Sequence, residues 1–236
     1  MKRFAVFDID GTLIRWQLYH AVVDKLAKVG ALGNDTHQLI HEARMRWKRR
    51  ELNYGFKEYE QTLITLYEKA IAKISPTQFD QFVDEIIAEY QDQAYIYTRD
   101  LIARLKEQDY LLLAISGSQK ELVEKIAKHY GFDDFIASDY ERVNGSFSGK
   151  VYVASFDKKA ALQKLVSTHG LNFEESYAVG DSKSDAAMLE MVAHPIAFNP
   201  ERELLDIAKS RGWKIVLERK NAIYELENQN GTYTLV

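Results

Sequence analysis

The chain has 236 residues, 46% hydrophobic and 28% charged, a composition that supports one or two packed domains and excludes intrinsic disorder. Its net charge of −4 supplies no global field for nucleic acid or an anionic membrane. It contains no cysteine, which rules out disulfides, thiolate metal sites and cysteine nucleophiles, so any metal must sit on oxygen or imidazole.

At the N-terminus the basic start Met1-Lys2-Arg3 and the apolar run Phe4 to Phe7 meet Asp8 too soon for the apolar segment of a signal peptide. Other apolar runs along the chain are interrupted well short of the ~18 residues a membrane-spanning helix requires. The expectation is a cytoplasmic protein with no membrane or nucleic-acid partner; its oligomeric state is left open.

Residues 3–7 read as a buried parallel strand that opens into the glycine-containing turn Asp8-Ile9-Asp10-Gly11-Thr12. From Trp16 to Gln93 no strand-like run occurs, and apolar residues recur every three or four positions. Four helices are predicted there, over Trp16 to Val29, Thr36 to Leu52, Phe56 to Ile74 and Thr77 to Gln91. An ordinary crossover needs one helix, so residues 15–94 are expected to form a separate helical cap, with 1–14 and 95–236 forming the core.

Further strands are predicted at Leu111 to Ile115, Tyr177 to Val179, Ile196 to Phe198 and Lys214 to Leu217. Strands alternating with helices indicate an α/β fold, a doubly wound parallel sheet. Asp157 is placed to cap a helix ending near Gly170, and Asn199-Pro200 to start one ending at Gly212. The Asn230-Gly231 pair in the tail predicts a hairpin.

Chemistry-bearing residues follow these strands. Asp8 and Asp10 stand at the carboxyl end of the first, where open α/β sheets bind ligands. Gly180-Asp181-Ser182-Lys183-Ser184-Asp185 follows another; carboxylates crowded at strand ends call for a cation, and an oxygen-only set suits magnesium. Ser116-Gly117-Ser118 precedes a helix expected near Lys120, offering a hydroxyl and backbone N–H groups to phosphate. Lys158 opens the helix capped by Asp157, with Lys159 as its competitor.

In this order, Asp8-x-Asp10-Gly11-Thr12, Ser116, Lys158 and Gly180-Asp181-x-x-x-Asp185 resemble the four motifs of the haloacid dehalogenase superfamily. The resemblance is greatest to its phosphoserine-phosphatase-like branch, whose type 1 cap sits where the helical insert lies. It implies a Rossmann-like core and a phosphatase in which Asp8 forms an aspartyl-phosphate and Asp10 acts as general acid and base. It also implies that Ser116, Gly117 and Lys158 hold the phosphoryl group of a small organic phosphate monoester. Mg2+ would be held by Asp8, the Asp10 carbonyl and Asp181, with Asp185 as a supporting ligand or anchor. A phosphotransferase using the same intermediate and a non-catalytic phosphate-binding scaffold are the alternatives.

The chain departs from the phosphoserine enzymes it resembles at two positions: Gln17 stands where they carry a Glu for the substrate amine, and Leu66 where they carry an Arg for its carboxylate. Trp16 and Tyr59, with Tyr19, Trp47 and Tyr54, are candidates to line a pocket for an organic cation, although aromatics at helical spacing commonly pack in cores. Ser118 is read as a helix cap, His37 and His41 (i, i+4) as a surface pair, and Arg44 to Arg50 as a solvated basic face.

Overall fold

The computed structural model describes residues 2–33, 36–52 and 55–236. Its strands are β1 (Phe4–Phe7), β2 (Leu111–Gln119), β3 (Asp134–Val143), β4 (Ser146–Tyr152), β5 (Tyr177–Gly180), β6 (His194–Phe198), β7 (Lys214–Arg219), β8 (Ala222–Gln229) and β9 (Thr232–Leu235). The helices are α1 (Leu18–Lys28), α2 (Thr36–Lys48), α3 (Phe56–Ile71), α4 (Pro76–Tyr90), α5 (Ile96–Glu107), α6 (Lys120–Tyr130), α7 (Lys158–His169), α8 (Ala186–Leu189) and α9 (Arg202–Arg211). The chain divides into two compact units, Met1–Gln17 with Glu89–Asp139 and Tyr152–Val236, and Leu18–Ala88 with Tyr140–Val151.

In the first unit β1 is buried at every position, as a strand covered on both faces must be. It pairs in parallel with β2 on one side and β5 on the other. The sheet continues through β3 beyond β2 and through β6 and β7 beyond β5, all parallel, so the connections reverse direction at β1. In such a sheet the carboxyl ends of the strands flanking the reversal form the ligand crevice. Alternation along β1 serves both faces: Phe4 and Val6 join a cluster with Leu162 and Leu165 of α7, Leu189 of α8 and Leu204 of α9, whereas the Phe7 ring meets Phe132, just past α6, at 5.9 Å.

The tail forms the expected hairpin. Antiparallel β8 and β9 extend the sheet beyond β7, and Asn230 and Gly231 both take positive φ, 54° and 87°, as a two-residue hairpin turn requires. The helix expected from Asn199 instead begins at Arg202, with Glu201 at its N-cap. Asn199 is drawn out of a capping role because its side-chain oxygen accepts the Glu218 N–H at 2.8 Å and its own N–H donates to Val216.

In the second unit α1 to α4 match the expected helices to within a few residues. The unit is not wholly helical, however, because Tyr140–Val151, expected in the core, belongs to it. Side chains explain the assignment: Phe147 meets Phe79 edge-on at 5.6 Å, Tyr140 meets Tyr67 at 5.5 Å, and Arg142 forks onto Asp80 at 2.9 and 2.7 Å. The hairpin turn is again Asn-Gly, with positive φ at Asn144 and Gly145, a signal the sequence carried between Val143 and Ser146.

The imidazole of His20 lies in this unit's interior, edge-on to Tyr59 at 5.2 Å and 2% exposed. Burial, with the Arg44 charge nearby, lowers its pKa from 6.5 to about 3. A neutral imidazole in the fold and a titrating one in the unfolded chain mean that stability is complete above pH ~6.5 and falls as the pH drops towards 3. At pH 5 the loss from this one group is about 2 kcal/mol. Urea denaturation at pH 7.5 and 5 should therefore show a smaller acid loss for His20→Phe than for the parent; equal losses would contradict the buried neutral imidazole.

Candidate active site

Asp8 directly follows β1, and its N–H donates to the Val179 carbonyl of β5 at 3.0 Å, which fixes the chain as it leaves the sheet. The turn that follows depends on Gly11, whose φ is +82° and where a Cβ would collide with the Asp181 carboxylate. Asp8 is 5% exposed, while Asp10 is only half-buried, so the two carboxylates expected to share the site occupy different environments.

Lys158 is the first residue of α7, behind an Asp157 cap that accepts the Ala160 N–H at 2.9 Å. Its ammonium, 2% exposed, donates to Asp8 Oδ1 at 2.6 Å, Asp185 Oδ1 at 2.6 Å and the Ile115 carbonyl at 3.1 Å. Three donors meet three acceptors, so the group is saturated. Lys159 is exposed, which separates the two competing lysines.

Asp185 is fully buried and uses both oxygens. Oδ1 takes Lys158, and Oδ2 accepts from the Asp181 N–H at 3.1 Å, the Ser182 N–H at 2.9 Å and the Ser182 hydroxyl at 3.0 Å. It thereby anchors the loop that carries Asp181. Gly180 makes this possible, since a Cβ there would overlap Asp185 Cβ. Thr12, fully buried, donates its hydroxyl to Asp181 Oδ1 at 3.1 Å. Sequence reasoning quoted Thr12 within the Asp8 to Thr12 turn but assigned it nothing; a β-branched hydroxyl directly after the turn glycine was the available signal.

Ser116 lies inside β2 instead of beyond its end, because the strand runs on to Gln119 through a register shift between Ser116 and Gln119. The shift leaves Gly117 exposed in the bulge. The Ser116 hydroxyl donates to Asp10 Oδ2 at 2.8 Å and accepts the Ser118 N–H at 3.0 Å. Ser118 is therefore not the cap of α6: the N-cap is Gln119, without a side-chain bond. Ser138, which sequence reasoning also passed over, donates to the Gly117 carbonyl at 2.7 Å and accepts the Ala154 N–H at 3.2 Å.

One oxygen each of Asp8, Asp181 and Asp185 lies within 4.8 Å of the others. Among the described residues this is the one grouping of acidic, histidine or cysteine side chains that could hold a metal. Burial, only partly offset by Lys158 and reinforced by the Asp185 and Asp10 carboxylates, pushes the Asp8 pKa up to about 7. Burial and the charges of Asp8 and Asp185 likewise hold Asp181 well above the usual carboxylate range. Two carboxylates and a buried ammonium balance imperfectly once the third is added, and the excess negative charge suits a hard cation.

A family model described as haloacid dehalogenase-like hydrolase matches residues 5–190. The chain belongs to this family. Among curated relatives, a phosphoserine phosphatase from Archaeoglobus fulgidus is 25% identical over 88% of this chain and 55% of its own length. A histidinol-phosphatase from Neisseria meningitidis is 25% identical over 92% of this chain and 99% of its own. The chain spans about half the length of the first curated relatives it matches, 55% and 55% for the leading two. A solved structure of a protein of unknown function from Bordetella pertussis superposes with a TM-score of 0.72 at 24% identity, covering 91% of this chain and 98% of that one, which supports the fold. No helix among the described residues is long and apolar enough to cross a membrane.

Of the candidate specificity residues, Trp16 and Gln17 are half-buried in the first unit and Leu66 is half-buried on α3 in the second. Tyr59 corrects the expectation of a pocket-lining aromatic. It is fully buried, its ring stacked on Trp47 at 5.3 Å and edge-on to His20, and its hydroxyl accepts Arg44 Nε at 3.1 Å, so packing and hydrogen bonding consume it. In the basic stretch, Arg44 also pairs with Asp24 at 2.8 Å and Arg46 with Glu51 at 3.0 Å. The His37 side chain and Tyr54 fall outside the described residues; His41 is exposed.

Removing one partner of a buried ion pair leaves a charge uncompensated and costs about 3–5 kcal/mol. Lys158→Met should lose stability on that scale in chemical denaturation, whereas Lys159→Met should change it by less than about 0.5 kcal/mol. Equal effects would contradict the burial of Lys158.

Proposed function

We propose that the chain is a magnesium-dependent phosphatase that hydrolyses a small organic phosphate monoester through an aspartyl-phosphate on Asp8. The observation that carries the reading is the clamp on Asp8: Lys158 holds Oδ1, while Oδ2 takes part in no hydrogen bond among the described residues. A nucleophilic carboxylate needs one oxygen oriented and another available, and the neighbouring ammonium can neutralise the arriving phosphoryl group.

In the first step Asp8 attacks phosphorus in line; the bond to the leaving oxygen breaks as Asp10 delivers a proton to that oxygen. In the second, Asp10 takes a proton from water, the water oxygen bonds to phosphorus, the bond to Asp8 breaks, and inorganic phosphate leaves. Asp10 suits both tasks because it is half-buried and its carboxylate is oriented by Ser116 at 2.8 Å. Lys158 and the Ser116 hydroxyl, by exchanging one present acceptor each, the Ile115 carbonyl and Asp10 Oδ2, for phosphoryl oxygens, would hold that group together with the backbone around Gly117. The oxygen donors of Asp8 and Asp181, with the Asp10 carbonyl, would hold magnesium, and Asp185, both of whose oxygens are engaged, serves as the anchor of that set. Magnesium, when bound, supplies positive charge against the carboxylates and the phosphate.

The purified chain should hydrolyse an aryl phosphate with Mg2+ and lose that activity in excess EDTA. Asp8→Asn should remain folded by circular dichroism while turnover drops by about four orders of magnitude or more. Full activity in EDTA would refute the metal assignment, and near-normal turnover of Asp8→Asn the covalent one.

For the substrate, Gln17 and Leu66 replace one charge of each sign relative to the phosphoserine enzymes, and a site lacking them compensates poorly for desolvating a zwitterion. A phosphate without a carboxylate is favoured, and the histidinol phosphate implied by the name of the Neisseria relative, histidinol-phosphatase, has that character. In a monoester panel scored by kcat/KM, L-phosphoserine should not rank first; its leading by tenfold or more would mean that other residues have taken over recognition.

A further inference from the structure

The backbone of Asp181 is held by two bonds that do not involve Thr12: its N–H donates to Asp185 Oδ2 at 3.1 Å, and its carbonyl accepts the Glu201 N–H at 2.8 Å. The Thr12 hydroxyl at 3.1 Å from Oδ1 is thus left with one task, setting the rotation of the Asp181 carboxylate. Its own position depends on α5. The Thr98 hydroxyl, fully buried, donates to the Thr12 carbonyl at 2.9 Å. Alongside it the Tyr95 N–H donates to Leu13 and the Arg15 N–H to Gln93, so the turn after Gly11 is zipped to the segment leading into the helix.

That segment is pinned from a third place. The N-cap of α5, Tyr95, supplies no side-chain acceptor. Instead the Glu218 carboxylate, 7% exposed at the end of β7, accepts the Ile96 N–H at 3.1 Å and the Tyr97 N–H at 2.9 Å. A carboxylate there satisfies two orphan donors and complements the helix dipole.

We propose that Thr98 and Glu218 are positioning residues that act through Thr12 to aim the Asp181 carboxylate at a divalent cation. The proposal rests on the magnesium reading above. Outer groups that orient a metal-binding side chain change affinity by about 10- to 100-fold when removed, whereas residues serving only the packing of α5 would change stability and leave affinity alone.

The test is a titration of the full chain, stripped of metal, with Mn2+, free Mn2+ being read by electron paramagnetic resonance and stability by thermal melting. Thr98→Val, which keeps the shape and deletes the donor, should raise the Mn2+ Kd by about tenfold. Thr98→Ser should stay within about twofold of the parent, and activity lost by Thr98→Val should return at high Mg2+. Glu218→Gln, which keeps an acceptor oxygen and loses the charge, should raise the Kd by about threefold or more, and it decides the matter alone if Thr98→Val does not fold. Unchanged Mn2+ affinity in Thr98→Val or Glu218→Gln, or an equal loss in Thr98→Ser and Thr98→Val, overturns the proposal. A parent chain that binds no Mn2+ overturns the magnesium reading itself.

Discussion

The ammonium of Lys158 between Asp8 and Asp185 is the interaction on which the rest of the site depends. Burying a charge carries a desolvation cost of several kcal/mol that only close, well-formed partners offset. Lys158 meets that condition with two carboxylate oxygens at 2.6 Å and one carbonyl. Burial pulls its pKa down, but Asp185 and Asp8 outweigh burial and hold it above the usual lysine range, so it stays charged. One cation cannot serve three carboxylates, and the raised pKa of Asp8 and Asp181 expresses the shortfall. A site built this way carries excess negative charge, and a divalent cation fits the deficit.

Bringing those groups together requires close backbone approach in two places. Gly11 clears Asp181 and Gly180 clears Asp185, so the glycines in both acidic motifs are steric requirements of a cluster whose members come from β1, the loop after β5 and the start of α7. Parallel pairing supplies the coarse alignment, placing Val6 against Ala178 and Phe7 against Val179. Hydrogen bonds then refine it: Asp185 holds the Asp181 loop, Thr12 the Asp181 carboxylate, and Ser116 the Asp10 carboxylate. The carboxylates are thereby restrained before any ligand arrives, which lowers the reorganisation that binding one would require.

Much of this arrangement was legible in the chain. Apolar runs ending in acidic residues marked β1 and β5, since a strand buried on both faces shows as an uninterrupted hydrophobic stretch. The Asp157 cap and Gly170 stop marked α7 and so the place of Lys158. Less legible was β3 with β4, because its outer half is exposed and alternates apolar residues with Asp139, Glu141 and Arg142, leaving Asn144-Gly145 as the main signal. Asn199 looked like a cap because the pattern of Asn before Pro does not reveal a competing acceptor role towards Glu218. Partnerships such as Thr98 with Thr12 and Glu218 with α5 span 86 and 122 residues, beyond the reach of local pattern.

The second unit shows why substrate identity is harder to read than reaction type. Phosphoryl chemistry constrains charged residues to strand ends, where motif and position agree; recognition of the remaining substrate imposes no such local geometry. Tyr59 and Trp47 have the composition of a cation-binding surface, yet their mutual stacking and the Arg44 contact to the Tyr59 hydroxyl tie them to the helical packing. Arg44, the first cation of the basic stretch, is engaged by Asp24 through both carboxylate oxygens at 2.8 and 3.0 Å. Recruiting that guanidinium nitrogen to a second anion would take it from Asp24. Aromatic and basic residues of this unit are thus partly spent on its own packing and charge balance, so composition alone does not mark which of them would face a ligand.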